Sequence, residues 1–482
     1  MTFLLSIDAG TSGVRAALFD ERGGLVPGAH ARSHRALTSL SDFAEFDADG
    51  IVGEVITTID DLLANFAGKI ELIAISAFWH SLIGIDADGR PTTPLLTWAD
   101  TRAGNYANRL RENFDEREMH ARTGCRFHPS YWPAKLQWLE HEHPEKFLKT
   151  RCWLGLAEYL CLRLFGDVAT SVSMASATGL FNQRECDWDR EFARQLGTSP
   201  DTLPKIKPQF NTRLSESFAS RWPALSEARL ATLVGDGAAN NIGAGCSTKD
   251  RIALMIGTSG AMRVAFAGDP PIEFAPALWS YRVNQQRVIV GGALSDGGGL
   301  LQWMAESLHL DRDALQDEVA ALEPDAHGLT VLPFWSGERS TRWSSDARGG
   351  IFGLGQKTTS VEIVRATLEA IAYRFALIAR ALDQVSPNAA IVASGNALRS
   401  SPVWLQIIAD VLGRPLLFGG SAEASIRGAA LLALEAVGKI ETLEEDSIAI
   451  EQVFEPDLMR HARYQQGLAR QEELYDRLRN NQ

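Results

Sequence analysis

One pattern occurs twice in this chain of 482 residues, and it constrains the fold more than any other feature. Leu5-Ser6-Ile7-Asp8-Ala9-Gly10-Thr11-Ser12-Gly13-Val14-Arg15-Ala16-Ala17-Leu18-Phe19 returns loosely as Leu254-Met255-Ile256-Gly257-Thr258-Ser259-Gly260-Ala261-Met262-Arg263-Val264-Ala265-Phe266. Each copy is an apolar run, a Gly-Thr-Ser-Gly turn and a second apolar run ending in Phe. Short apolar runs bounded by glycines suit strands better than helices, so each copy is predicted to be a β-hairpin that opens a domain. The chain then divides near residue 245, into domains 1–245 and 246–482. A chain of this length is too long for one ordinary core and comfortable for two.

Between the hairpins, strand-like and helix-like pieces alternate. Residues 47–67 have helical apolar spacing, 70–77 read as a strand, and 141–165 read as helical with aromatics on one side. In the second half, 360–385 and 401–412 are predicted helices, and 389–394 a strand that ends at Gly395. Such alternation argues for an α/β architecture with helices covering a sheet. No low-complexity linker separates the halves, so they are expected to pack directly on one another.

Composition excludes several functions. The net charge is -13 and no basic block is visible, which argues against a nucleic-acid partner. No stretch of 18 apolar residues offers a membrane span. Met1 to Asp8 lacks the basic start of a secretory signal. The five cysteines, Cys125, Cys152, Cys161, Cys186 and Cys246, are odd in number and form no C-x-x-C pair. They read as reduced thiols of a cytoplasmic protein.

A turn rich in Gly, Thr and Ser gathers backbone N–H groups and two hydroxyls at one point, a cradle for an anion. Asp8 closes the strand that feeds the first turn. A carboxylate beside a phosphate would be repelled unless a divalent cation stands between them, and Mg²⁺ prefers oxygen ligands, often through its waters. The pair therefore points to a magnesium nucleotide. A single such turn is equally a plain hairpin with glycine at positive φ; recurrence in both halves favours the cradle. Neither G-x-x-x-x-G-K-[ST] nor G-x-G-x-x-G occurs. Just before the second hairpin, Gly235-Asp236-Gly237 presents a carboxylate at a predicted strand-to-helix turn. Asp236 suits the general base that takes a proton from an alcohol during phosphoryl transfer; an Asp that merely caps the following helix is the other reading.

These residues resemble the FGGY carbohydrate kinases, which include glycerol, xylulose and gluconate kinases. The resemblance covers nearly the whole chain. It takes in the hairpins, Gly235-Asp236-Gly237, Leu332-Pro333-Phe334-Trp335-Ser336-Gly337-Glu338-Arg339-Ser340, Asp346 to Leu354, Ser394 to Ser400, and Arg427-Gly428-Ala429-Ala430. It implies two actin-like (ribonuclease H-like) ATPase domains with a catalytic cleft between them, ATP and Mg²⁺ as cofactors, and a homodimer. It also implies that Asp8 acts through Mg²⁺ and that Thr11, Ser12, Gly13 and Arg15 face the phosphates. Thr258, Gly298, Gln302, Gly395, Asn396 and Ser400 would line the rest of the ATP site, with Asp236 as the base. Asn396 departs from the Gly common in the family.

The segments Ser76 to Asp86, Thr97 to Arg102, Thr123 to Pro129 and Ile256 to Arg263 look most like the gluconate kinases, with Trp79 where Met is usual. The expected reaction is transfer of the γ-phosphoryl of MgATP to gluconate, giving 6-phosphogluconate. Trp79, His80, Asp100, Arg102, His128 and Asp236 are the predicted sugar contacts, with Lys135 as a further cation in reach. Another ketose or polyol such as xylulose stays open as acceptor. A nucleotide-gated binding module on the same actin-like fold is a more distant alternative.

Overall fold

The structure, a computed structural model, describes residues 3–35, 44–310, 312–420, 423–444 and 449–480. Met1 and Thr2, part of the leader reading, lie outside the described residues.

The first sheet contains β1 (Phe3–Gly10), β2 (Gly13–Asp20), β3 (Leu25–Arg32), β4 (Ile70–Ala77) and β5 (Arg229–Gly235), in the order β3-β2-β1-β4-β5. β2 runs antiparallel to both β1 and β3, whereas β4 lies parallel to β1 and β5 parallel to β4. The second sheet contains β6 (Arg251–Ile256), β7 (Gly260–Ala267), β8 (Trp279–Arg282), β9 (Arg287–Leu294), β10 (Ala390–Ser394), β11 (Leu416–Gly419) and β12 (Ile450–Phe454). Its order is β8-β9-β7-β6-β10-β11-β12. Without its edge strands β8 and β12, this sheet repeats the first in strand order and in strand direction. The hairpin repeated in the sequence is thus the visible part of a duplicated five-strand unit. β1, β4, β6 and β9 are almost entirely buried, as strands covered on both faces must be.

Helices fill the outer layers. α1 (Ala48–Leu63) starts at Asp47, whose side chain accepts from Asp49 N–H, and buries Ile51, Val52, Val55, Ile59 and Leu62 at helical spacing. α2 (Asp236–Gly243) follows β5 directly, and α3 (Gly298–Ser307) follows β9. α4 (Ser360–Leu382) begins with a reciprocal capping box between Thr359 and Glu362. α5 (Pro402–Leu412), α6 (Ala424–Ala436) and α7 (Leu458–Asn480) complete the set used below. The expected helix over 141–165 is broken. Helix Pro144–Lys149 and helix Leu156–Phe165 flank a strand, Cys152–Leu154, which pairs with Ile83–Ile85. Apolar spacing alone does not distinguish a buried strand from a buried helical turn.

Three cores result. One surrounds the first sheet, one the second, and a third, built from Leu82, Tyr106, Trp132, Trp138 and Trp153 among others, supports the insertion between β4 and β5. α6 follows the second sheet in sequence, yet its Ile426, Ala430 and Leu434 sit in the first core with Leu5, Ile73 and Leu233. There the Ser6 hydroxyl donates to Ile426 O at 2.7 Å.

α2 and α6 cross with their backbones in contact. A Cβ on Gly243 would lie 1.8 Å from Ala424 O, and a Cβ on Gly428 would lie 1.8 Å from Ala239 O. Arg427 Nη1 donates to Gly243 O across the same crossing at 3.0 Å. These helices follow the fifth strand of each repeated unit, so their crossing joins the two halves at equivalent points. Gly428→Ala should lower unfolding free energy by about 1–3 kcal/mol, the usual cost of overpacking. The check is the denaturant midpoint; an unchanged midpoint would mean that the helices separate freely.

Candidate active site

The first hairpin pairs Gly10 with Gly13 across a two-residue turn of Thr11 and Ser12. Gly13 has φ 144°, and a Cβ there would sit 2.3 Å from Ser33 O, so no side chain is admitted. The second hairpin pairs Ile256 with Gly260 around Gly257, Thr258 and Ser259. The start of α3 pins this turn: Gly298 N–H donates to Gly257 O at 2.8 Å and Gly299 N–H to Thr258 O at 3.0 Å. A Cβ on Gly298 would meet Gly257 O at 2.6 Å, which is why glycine opens that helix.

Both turns line one cleft of about 1200 Å³. Of the nucleotide and sugar residues predicted from sequence, all but Gly13 and Arg102 line it. Asp8 projects into it from β1, buried, accepting from the Ser76 hydroxyl at 2.9 Å and 3.5 Å from Arg15 Nη1. Burial raises its pKa from 3.8 to about 6; Arg15 opposes the rise and the charge of Asp236 adds to it. Asp236 is the first residue of α2, with Gly235 at the cap position. Its Oδ1 accepts Gly237 N–H at 2.7 Å, and it also accepts the backbone N–H of Trp79. Burial raises its pKa, and the nearby Arg263 cation works against that rise.

Trp79 explains the glycines flanking Asp236. A Cβ on Gly235 would lie 1.8 Å from the indole Nε1, and a Cβ on Gly237 would lie 2.5 Å from its ring. The indole N–H donates to Ser173 O at 3.1 Å, which fixes the ring under the start of α2. Trp79 therefore forms the floor beneath the candidate base.

His80 has φ 66°, a left-handed backbone unusual for a residue with a Cβ. Its Nδ1 lies 2.7 Å from Ala177 O. A carbonyl only accepts, so Nδ1 carries the proton and Nε2 offers a lone pair. Burial pushes the imidazole pKa down to about 3, so the ring is neutral and suits a sugar hydroxyl better than a carboxylate. His128 is spent otherwise: Nδ1 accepts Ser130 N–H at 3.2 Å, and the ring also bonds the Glu338 backbone.

Arg102 and Lys135 work from behind the cleft wall. Arg102 Nε donates to Asp100 Oδ1 and Oδ2 at 3.1 and 3.0 Å, its Nη2 reaches Glu45 at 2.5 Å, and its guanidinium covers Trp138. It orients Asp100, which does line the cleft. Lys135 is fully buried and donates to His80 O at 2.7 Å and Thr97 O at 2.8 Å, tying together two cleft-bearing loops. Burial lowers its pKa to about 7.

Arg263 and Arg339, both outside the sequence-predicted set, belong to the cleft wall. Arg263 points from β7 toward Gly237, donating to its carbonyl at 3.3 Å. Arg339 lies 4.5 Å over the Trp98 ring, donates to Leu294 O at 2.9 Å and keeps a buried Nε without a partner. The available signal was a charge inside an otherwise apolar strand, Ala261-Met262-Arg263-Val264-Ala265-Phe266. Away from the cleft, Asp325, His327 and Glu369 could chelate a metal. Arg470 and Arg365 already hold these carboxylates, with Arg365 Nε 2.6 Å from Glu369.

Comparison with known proteins decides the family. Residues 3–243 match the N-terminal domain, and residues 252–437 the C-terminal domain, of the FGGY family of carbohydrate kinases. The chain belongs to this family. A gluconokinase of Bacillus subtilis (strain 168) is 31% identical over 92% of this chain and 89% of its own. The crystal structure of gluconate kinase from Lactobacillus acidophilus superposes with a TM-score of 0.90 at 27% identity, covering 99% of this chain and 98% of that one. Ligand-bound xylulose kinase from the same organism gives 0.89 at 27% identity, with the same coverage. The protein is therefore a phosphotransferase with an alcohol acceptor, built on the two-domain, actin-like (ribonuclease H-like) fold. Family membership sets aside the binding-module alternative. Among the described residues, no helix is long and apolar enough to cross a membrane.

The buried charge of Asp8 carries a stability cost. A folded-state pKa raised above 3.8 means that the folded protein binds this proton more tightly than the unfolded chain does. The contribution is therefore present below about pH 4 and lost as pH rises through about 6. Asp8→Asn should accordingly stabilise the ligand-free protein at pH 7.5 by on the order of 1–3 kcal/mol, with little gain at pH 4. Denaturant midpoints at the two pH values test this; an equal gain at both would contradict the assignment.

Proposed function

We propose that this kinase transfers the γ-phosphoryl of MgATP to the terminal hydroxyl of an open-chain sugar acid, gluconate, with Asp236 as general base. The observation that carries the acid specificity is the Arg339 guanidinium, which lines the cleft and keeps a buried Nε without a protein partner. The carboxylates that act on it, Asp236 and Asp296, have other work: Asp236 is the base, and Asp296 accepts from the Ser336 N–H and hydroxyl, each at 3.0 Å. An acceptor bearing its own carboxylate supplies the missing anion. The gluconokinase and gluconate kinase relatives agree with this reading. A ketose such as xylulose is the second reading, favoured by the equally similar xylulose kinase.

The two turns hold the nucleotide phosphates through backbone N–H groups and the Thr11, Ser12 and Thr258 hydroxyls, with Arg15 beside them. Gly298, Gln302, Gly395, Asn396 and Ser400 take the rest of the nucleotide. Gly395 adopts φ 110°, and a Cβ there would lie 2.3 Å from Ile256 O, so this contact is made by backbone. Asp8 suits Mg²⁺, because a buried carboxylate at the foot of a phosphate cradle needs a cation to balance it. When bound, the ion neutralises phosphate charge and orients the nucleotide. Residues 1–245 form the domain with the sugar site and base, and 246–482 the domain with most nucleotide contacts. On the sugar side, Trp79 and Trp98 supply apolar walls and His80 Nε2 accepts from a hydroxyl. Asp100 accepts from a second hydroxyl and Arg102 holds it in place; His128 braces the wall.

ADP release measured across a sugar panel tests the proposal. Gluconate should give the largest kcat/KM; a larger value for a neutral ketose would move the assignment to the second reading. Asp236→Asn should lower kcat by about 10²–10⁴, the usual worth of a general base, and leave ADP affinity intact. A near-native kcat would remove Asp236 from this role.

A further inference from the structure

Arg263 stands where the two halves of the reaction meet. β7 begins at Gly260, the residue that closes the second turn, and Arg263 leaves that strand on the same face as Ala261. Its guanidinium ends against Gly237: a Cβ there would lie 3.5 Å from the guanidinium carbon. Gly237 directly follows Asp236, and its N–H donates to the Asp236 carboxylate at 2.7 Å. The side chain thus spans from the phosphate cradle of the second sheet to the base carried by the first.

It is also under-used. The residue is 6% exposed, and among the described residues its one hydrogen bond is the long contact from Nη1 to Gly237 O at 3.3 Å. A guanidinium has five N–H donors, and burying a charge with most of them idle is costly unless a ligand engages them. Burial and the neighbouring Arg339 bring its pKa down to about 10, so it stays a cation at neutral pH. Arg339 is not equivalent: it is stacked on Trp98 and bonded to Leu294 O.

We propose that Arg263 is a further catalytic residue, donating to the phosphoryl group in transit between the nucleotide and the acceptor oxygen beside Asp236. In that step the acceptor hydroxyl gives its proton to Asp236 and an O–P bond forms. The bond from phosphorus to its bridging oxygen breaks, and the electron pair leaves on ADP. Charge on the equatorial phosphoryl oxygens is what a planar fork of donors stabilises, and a group already in place needs no reorganisation. Arg339 is left for the acceptor carboxylate.

The assignment rests on the proposed kinase reaction, and the two fail differently. Native protein without sugar-dependent ADP release would bring down the function itself, with no variant needed. Given that activity, Arg263→Gln and Arg263→Lys are compared with native protein using the best sugar of the panel. Calorimetry with MgADP and sugar, with and without aluminium fluoride as a mimic of the transferring phosphoryl, gives a readout apart from turnover. Arg263→Gln should bind MgADP like native protein, lose most of the affinity gained from aluminium fluoride, and lower kcat about 10²–10³-fold with KM within a few-fold. Native kcat would overturn the proposal. So would a raised KM for gluconate alone at unchanged kcat, which would make Arg263 the carboxylate anchor. Should Arg263→Gln fail to bind MgADP, Arg263→Lys decides, since it keeps the charge and loses the fork. A kcat lowered at least tenfold with MgADP affinity intact supports the role, and a native kcat overturns it.

Discussion

Everything in this molecule is arranged around the crossing of α2 and α6, where Gly243 and Gly428 let two helix backbones touch. Each helix leaves the fifth strand of one repeated unit. Because they meet backbone to backbone, the two sheets are held with their first hairpins turned toward one cleft. α6 carries this further by surrendering its apolar face to the core of the other half. A side chain at either glycine would push the sheets apart and separate the two Gly-Thr-Ser turns. The geometry of the cleft is thus a consequence of helix packing.

On that frame the cleft stores electrostatic strain. Asp8 and Asp236 are buried carboxylates whose ionisation burial makes harder, and the charge of Asp236 adds to the effect at Asp8. Arg15 and Arg263 soften the cost without removing it. Buried charge that is only partly compensated is a poor way to stabilise a protein, and a good way to prepare one for a charged ligand. In the proposed reaction a nucleotide, its cation and a charged acceptor would supply the balancing charges. On the proposed role of Asp8, stability and function oppose one another there.

What could be read from sequence was whatever repeats or punctuates. The paired Gly-Thr-Ser-Gly turns announced the hairpins, and glycines around Asp236 marked a strand-to-helix turn that the structure contains. The return of α6 to the first core was not legible, because an apolar helical face does not say which sheet it will cover. Arg102 and Lys135 look like ligand cations in a list of nearby residue types. Their partners, Asp100 and the carbonyls of His80 and Thr97, exist only once the loops fold. His80 reverses in meaning too: burial and the Ala177 carbonyl make it a neutral acceptor. Arg263 was in view inside an apolar strand, and its significance lay in the distance to Gly237.

The central claim is that two anion cradles and one base share a cleft and pass a phosphoryl group to a sugar acid. Phosphorus NMR of the protein with MgATP and gluconate follows that transfer directly. The account predicts that the γ resonance decays into a single phosphomonoester signal, and that nothing changes when gluconate is left out. Decay to inorganic phosphate at the same rate with or without sugar would contradict it.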